Sequence, residues 1–304
     1  MLESILPVFL VISLGVAIRH YSWLPAEFFP SIEKFSYNIA FPALLFAGTA
    51  KLGFHSGQVA ELAVATLLPT FLVVGITILM LLLPTGLPDT SRSSVVQGAM
   101  RPNSYFGIAV SSLFFEPKAA SLVMLAMALC LPFVNVIAVI VLSWWGGGKP
   151  NFQSVLKALI SNPIILATFA GILASLSGLT LPGPVMGALD ILGKSALAMG
   201  LLCVGGGLVF SLQGLRPVAL GYTSLTKLVA LPLVAAKICL IFSISTPVAL
   251  AGCFYCALPT APNAYILAKQ MGGDSRLMAS LITVQTLLAA ITIPISKLFL
   301  TWMA

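Results

Sequence analysis

Two nearly identical tetrapeptides, Pro102-Asn103-Ser104-Tyr105 and Pro262-Asn263-Ala264-Tyr265, each lie inside a long apolar run. Proline lacks a backbone N–H and clashes with the preceding turn, so Pro102, Pro259 and Pro262 are expected to split their helices into half-helices. A break exposes N–H and C=O groups that hydrocarbon does not tolerate, so it should face protein or a watery cavity. Asparagine caps helices well, and its amide also hydrogen-bonds ligands. The N-terminal end of a half-helix carries partial positive charge and free donors, which suits carboxylates and other anions. The chemistry expected here is therefore reversible capture of a small anion. Its substrate-binding candidates are Asn103, Asn263, Arg101, Pro102, Pro262, Pro259, Tyr105 and Tyr265. Arg101 directly precedes the first break; a charge at membrane depth is a functional candidate by default. Arg101 either attracts the anion or partners carbonyls that the break frees.

The elements that must position these residues are membrane helices. The chain is 59% hydrophobic and 8% charged, whereas soluble domains carry about 25% charged residues. Apolar runs of ~20 residues, enough to cross a bilayer, recur throughout. Ten spans are expected, near 2–18, 31–50, 58–83, 93–115, 118–145, 161–178, 184–210, 217–244, 247–270 and 276–302. The first run lacks a basic leader and a small-residue cleavage site, so it reads as a retained helix. The net charge of +7 comes from basic residues scattered singly, which argues against a nucleic-acid partner. The cysteines all fall within apolar runs, and Cys253-x-x-Cys256 reads as helix packing rather than a redox or metal motif.

The polar connector near the middle divides the chain into a first five-helix repeat (1–146), a cytoplasmic linker (147–160) and a second repeat (161–304). Pro7 with Pro163, Pro69 with Pro232 and Pro84 with Pro247 recur at matching places in the two halves, as do the tetrapeptides. An odd number of spans per half makes the second repeat inverted. Alternate connectors carry Arg19 and Lys34, Arg92, Lys149 and Lys157, Arg216, and Lys269 with Arg276; the other set carries Lys51, Lys118 and Lys297. The positive-inside rule puts the richer set in the cytoplasm and both termini on the other side.

Candidates for ion coupling are Asp190, Lys194 and Asn38. Asp190 and Lys194 share a helix face at i, i+4 and are expected to pair, as a structural pair or as a coupling site. Asn38 with Pro42, and Gly205-Gly206-Gly207, mark places where helices bend beside a site or pack closely. Lys227 and Lys237 are expected to snorkel to the two interfaces, with a role in the solute pathway as the alternative, and Glu61 to lie at an interface. Asn135 and Gln285 are either interhelical hydrogen-bonding groups or pathway residues. His20 and His55 lie near membrane edges and support no metal or catalytic dyad.

The segments GAMRPNSYFGIAV, YCALPTAPNAYILAKQMGGD and FSYNIAFPALLFAG resemble the bacterial branch of the auxin efflux carrier family, and the resemblance covers essentially the whole chain. It implies an all-α integral membrane fold of ten helices in two inverted five-helix repeats, like that of bile acid sodium symporters. In that fold the fourth and ninth helices unwind and cross, and a scaffold domain and a transport domain move against each other. It further implies that prolines mark the crossing and that the asparagines beside it, here Asn103 and Asn263, contact a substrate carboxylate. A homodimer is consistent with the same resemblance. The long hydrophilic central loop of the plant carriers is missing here, so regulation through that loop does not carry over.

The expected function is secondary active transport of a small organic anion by alternating access in a bacterial cytoplasmic membrane. The alternatives are a channel or a transporter-like sensor. No His-Glu-x-x-His, G-x-S-x-G or Asp-rich metal motif is present, so an enzyme is not expected. No cofactor is expected beyond a coupling ion, proton or sodium.

Overall fold

Hydrocarbon offers no hydrogen bonds, so a chain crossing it must pair its backbone groups internally, and a helix does so within each segment. The computed structural model of the protein describes residues 2–51, 56–146, 161, 163–209 and 216–303, and their regular structure is helical. In chain order the helices are α1 (Leu2–His20), α2 (Phe28–Phe35), α3 (Phe41–Ala50), α4 (Ser56–Leu82), α5 (Asp89–Met100), α6 (Ser104–Phe114) and α7 (Pro117–Trp145). They continue as α8 (Pro163–Ser177), α9 (Gly183–Gly207), α10 (Pro217–Leu225), α11 (Leu231–Ile241), α12 (Thr246–Ala257), α13 (Asn263–Gln270) and α14 (Ser275–Met303). Over its described residues each apolar run noted in the sequence contains helix, with 93–115 and 247–270 interrupted. The 147–160 connector and His55 lie outside the described residues.

Among the described residues, five helices are long and apolar enough to cross a membrane: Gly57–Leu82, Pro117–Trp145, Gly183–Gly207, Pro217–Ile241 and Ser275–Ser296. Shorter apolar helices are Leu6–His20, Ser104–Phe114, Leu166–Ser177 and Thr246–Ala257. Their exposed faces are apolar at helical spacing. On α1 Leu6, Leu10 and Leu14 are exposed, and on α8 Leu166, Phe169, Leu173 and Leu176 are. Contiguous exposed apolar stripes of this kind suit lipid contact.

Two helical rods contain a wider turn. Helix α2 runs into α3 through a π turn at Ser36–Ala40, and α10 runs into α11 through another at Thr226–Ala230. Each is followed at once by a proline in the next helix's first turn, Pro42 and Pro232. A proline ring clashes with the carbonyl four residues earlier, and the extra residue of a π turn makes room for it. The bend expected beside Asn38 and Pro42 thus has a local cause. The same device at Lys227 was not anticipated.

The chain forms two compact units, each drawing on both sequence halves. The first comprises Met1–Ala60, Ser104–Leu129 and Leu156–Gly207. Here α1 packs on α9, and α3 packs on α8 and α9. The approach is close because glycine lines it: a Cβ on Gly205 would overlap the Ile12 carbonyl, and one on Gly15 the Leu202 carbonyl. Arg19 closes the same pair by donating to the Gly206 carbonyl. Close packing therefore accounts for Gly205 and Gly206.

The second unit comprises Glu61–Asn103, Cys130–Val155 and Leu208–Ala304. Its core joins Val95, Val96 and Met100 of α5 to Val134 and Val141 of α7 and Leu281 of α14. Helix α12 packs on α11 and α14, while α5 packs on α10 and α14. Both helix interruptions noted in the sequence belong to this unit.

Candidate functional site

Helix α5 stops at Met100, and Arg101 turns extended at φ −77°, ψ 113°. In an unbroken helix the Gly98 carbonyl would accept from residue 102, but Pro102 has no N–H to give. Tertiary donors replace it. The Thr260 hydroxyl lies 2.8 Å from the Gly98 carbonyl oxygen and Gln285 Nε2 lies 3.2 Å from it. The Met100 carbonyl accepts from Lys227 Nζ at 3.4 Å, and the Arg101 carbonyl from the Ala261 N–H at 3.3 Å.

The second interruption supplies those partners and is satisfied in return. Helix α12 stops at Ala257, and Leu258 turns extended at φ −64°, ψ 141°. The Pro259 carbonyl accepts from the Asn103 N–H at 2.7 Å. Gln285 Oε1 accepts from the Thr260 N–H at 3.0 Å and lies 2.6 Å from the Thr260 hydroxyl, whose single proton is shared between that oxygen and Gly98. Pro102 and Thr260 consequently face each other in an antiparallel bridge. The two extended pieces are thereby joined backbone to backbone by hydrogen bonds.

The structure brings Arg101, Pro102, Asn103 and Pro259 together at this bridge, with Pro262 and Asn263 just beyond it in sequence. Asn103 is buried and sits immediately before α6, while Asn263 is exposed. Asn263 is the first residue of α13 and not its cap; that position belongs to Pro262, which offers no side-chain hydrogen bond. Tyr105 falls in the first unit, half-buried, its ring 4.7 Å from that of Phe41. Tyr265 is half-buried on α13.

Arg101 is 4% exposed. Its guanidinium donates to Asn135 Oδ1 at 2.8 Å and to Gln97 Oε1 at 3.3 Å. Thr260, Gln285, Lys227 and Ala261, by contrast, take the freed carbonyls of Gly98, Met100 and Arg101. Asn135 is thus an interhelical hydrogen-bonding group, and Gln285 is one that serves both breaks.

The expected Asp190–Lys194 pair does not form. Asp190 is held instead by Lys51, whose Nζ lies 2.8 Å from both carboxylate oxygens, and Lys194 is exposed. Two groups separated in sequence outcompete the i, i+4 neighbour because α3 and α9 pack side by side. Asn38 is exposed, and its amide donates at 2.7 Å to the Lys34 carbonyl of its own helix.

The snorkelling expected of Lys227 is overturned. Lys227 is 0% exposed, carried inward on the π turn to the end of α5. Lys237 is exposed. Glu61 accepts from the Ser245 N–H at 3.2 Å and from its hydroxyl, at the start of α12. Sequence reading missed Thr260 and the inward turn of Lys227. The available signal was a proline five residues after a lysine in an apolar run. Cys253 and Cys256 are buried free thiols on α12.

At the bridge the carbonyls of Gly98, Met100, Arg101 and Pro259 and the N–H groups of Asn103, Thr260 and Ala261 are thus engaged by protein, and two basic side chains, Arg101 and Lys227, are anchored at the end of one helix. The carboxylates of this unit, Glu61, Asp89 and Asp274, are occupied elsewhere: Glu61 with Ser245, Asp89 with Arg92 at 3.3 Å, and Asp274 with Ser91 at 2.7 Å and Arg216 at 3.6 Å. Two buried basic side chains next to an interrupted backbone are suited to hold an anion.

Residues 151–296 match the family described as Membrane transport protein. A curated protein of Rhizobium meliloti (strain 1021), named "Putative malonate transporter", is 25% identical over 95% of this chain and 92% of its own length. Both likenesses agree with the resemblance read from its motifs. Its apolar helices mark it as an integral, multi-pass membrane protein, and both likenesses are to transport proteins.

Proposed function

We propose that this protein is a secondary active transporter of a small organic anion, a carboxylate, bound where the two interrupted helices meet. The observation that carries the reading is the bridge of Pro102 and Thr260, with the buried Arg101 beside it. Paired discontinuous helices are the usual construction of binding sites in inverted-repeat transporters. On this reading the chain has ten transmembrane helices in two inverted repeats, 1–146 and 161–304, and works by alternating access.

The relative named for malonate favours a dicarboxylate as the solute class. Asn103 and Asn263 contact the carboxylate, with Tyr105 and Tyr265 nearby, and a proton or sodium ion drives transport, with Asp190, Lys194 and Asn38 the candidates for coupling. The protein resides in the cytoplasmic membrane of a bacterium with both termini outside the cytoplasm, as a homodimer.

The test is counterflow in proteoliposomes. Labelled malonate should accumulate against unlabelled malonate in a saturable way, and Asn103→Ala should abolish it with the protein still folded. Non-saturable flux without exchange would make the protein a channel, and binding without flux a sensor.

A further inference from the structure

Lys227 is the unusual charge of the second unit. Its side chain is fully buried, yet among the described residues its one hydrogen-bond partner is the Met100 carbonyl, at a long 3.4 Å. An ammonium has three donors, so this contact leaves most of its capacity unused. Among the described residues no carboxylate lies within 4 Å of it; the salt bridges formed are Lys51–Asp190, Arg92–Asp89 and Arg216–Asp274. Its other ionisable neighbours are the buried thiols of Cys130 and Cys256.

A buried cation without a counter-ion is costly, and a Met of similar volume would fill the space without that cost. The residue is also carried on a π turn, a feature found often at functional sites. Its anchor, Met100, immediately precedes Arg101, so the end of α5 holds two cations fixed from different helices. One carboxylate group matches one such charge. Two carboxylates on a short chain match both.

Resting on the transporter reading above, we propose that Lys227 is the specificity-determining residue that makes this site select dicarboxylates over monocarboxylates, its ammonium receiving the second carboxylate of an anion docked at the break of α5.

The experiment is thermal stabilisation of the purified full chain in detergent by malonate and succinate, compared with acetate and propionate. The wild type should respond to the dicarboxylates at roughly 30-fold or more lower concentration, the effect of a desolvated charge pair. Lys227→Met and Lys227→Gln should bring the two classes to within a few-fold of each other while leaving the acetate response in place, and Lys227→Arg should keep the preference. Gln retains a donor for the Met100 carbonyl and loses only the charge, so it separates the two roles. Dicarboxylate preference surviving in Lys227→Gln would overturn the proposal, as would neutral variants that do not fold, since either makes Lys227 a cap for Met100. A wild type that answers to no carboxylate would overturn the transporter reading itself.

Discussion

Gln285 and Thr260 are tied twice through one amide oxygen: Gln285 Oε1 accepts the Thr260 N–H at 3.0 Å and sits 2.6 Å from the Thr260 hydroxyl. The other end of the same amide reaches Gly98, so one side chain on α14 holds both interrupted helices in register. Gln285→Leu would leave the buried Thr260 N–H without a partner. A cost of about 1–3 kcal/mol is expected, seen as a lowered denaturation temperature. Gln285→Glu keeps the acceptor oxygen, so a loss as large as that of the Leu variant would show that the Gly98 contact matters more.

Asp274 ties the start of α14 to α5. Its Oδ1 accepts the Leu277 N–H at 3.0 Å, its Oδ2 the Ser91 hydroxyl at 2.7 Å, and its backbone carbonyl the Ser94 hydroxyl at 2.9 Å. Asp274→Ala should destabilise by about 1–2 kcal/mol through loss of the cap. Hydrogen exchange would show faster turnover in the first turn of α14. Unchanged protection there would mean the cap contributes nothing measurable.

Gly205→Ala puts a methyl group into the Ile12 carbonyl, and backbone cannot yield as a side-chain tip can. Overpacking of this kind costs about 1–3 kcal/mol. The variant should melt earlier, whereas Gly57→Ala, with nothing within 4 Å of the added carbon, should not.

The Lys51–Asp190 pair is 52% and 40% exposed on its two side chains. Exposed pairs contribute only about 0–1 kcal/mol. Asp190→Asn should therefore leave the denaturation temperature nearly unchanged. If Asp190 serves ion coupling, the same variant shifts the pH or sodium dependence of malonate uptake. An unaltered dependence assigns the pair to structure alone.

The helical plan was legible in the sequence because apolar run length and proline position are local quantities. Runs long enough to cross a bilayer became helices, and Pro102 and Pro259 ended α5 and α12 because a residue without an N–H cannot continue the ladder wherever it is placed. The repeated tetrapeptide also marked where α5 gives way to α6 and α12 to α13. Partners were another matter. The i, i+4 spacing of Asp190 and Lys194 describes one helix face, but the packing of α3 on α9 brought Lys51 to Asp190 first. Lys227 sits in an apolar run as a snorkelling lysine does, and apart from Pro232 five residues on nothing in the sequence marks the π turn that carries it inward. Thr260 and Gln285 carry no signal of their own, since their value lies in carbonyls freed by a proline far away along the chain. Composition and backbone chemistry thus determined where the helices form and where they stop. Which group answers each freed donor and acceptor depends on three-dimensional proximity, and the tertiary structure alone decided it.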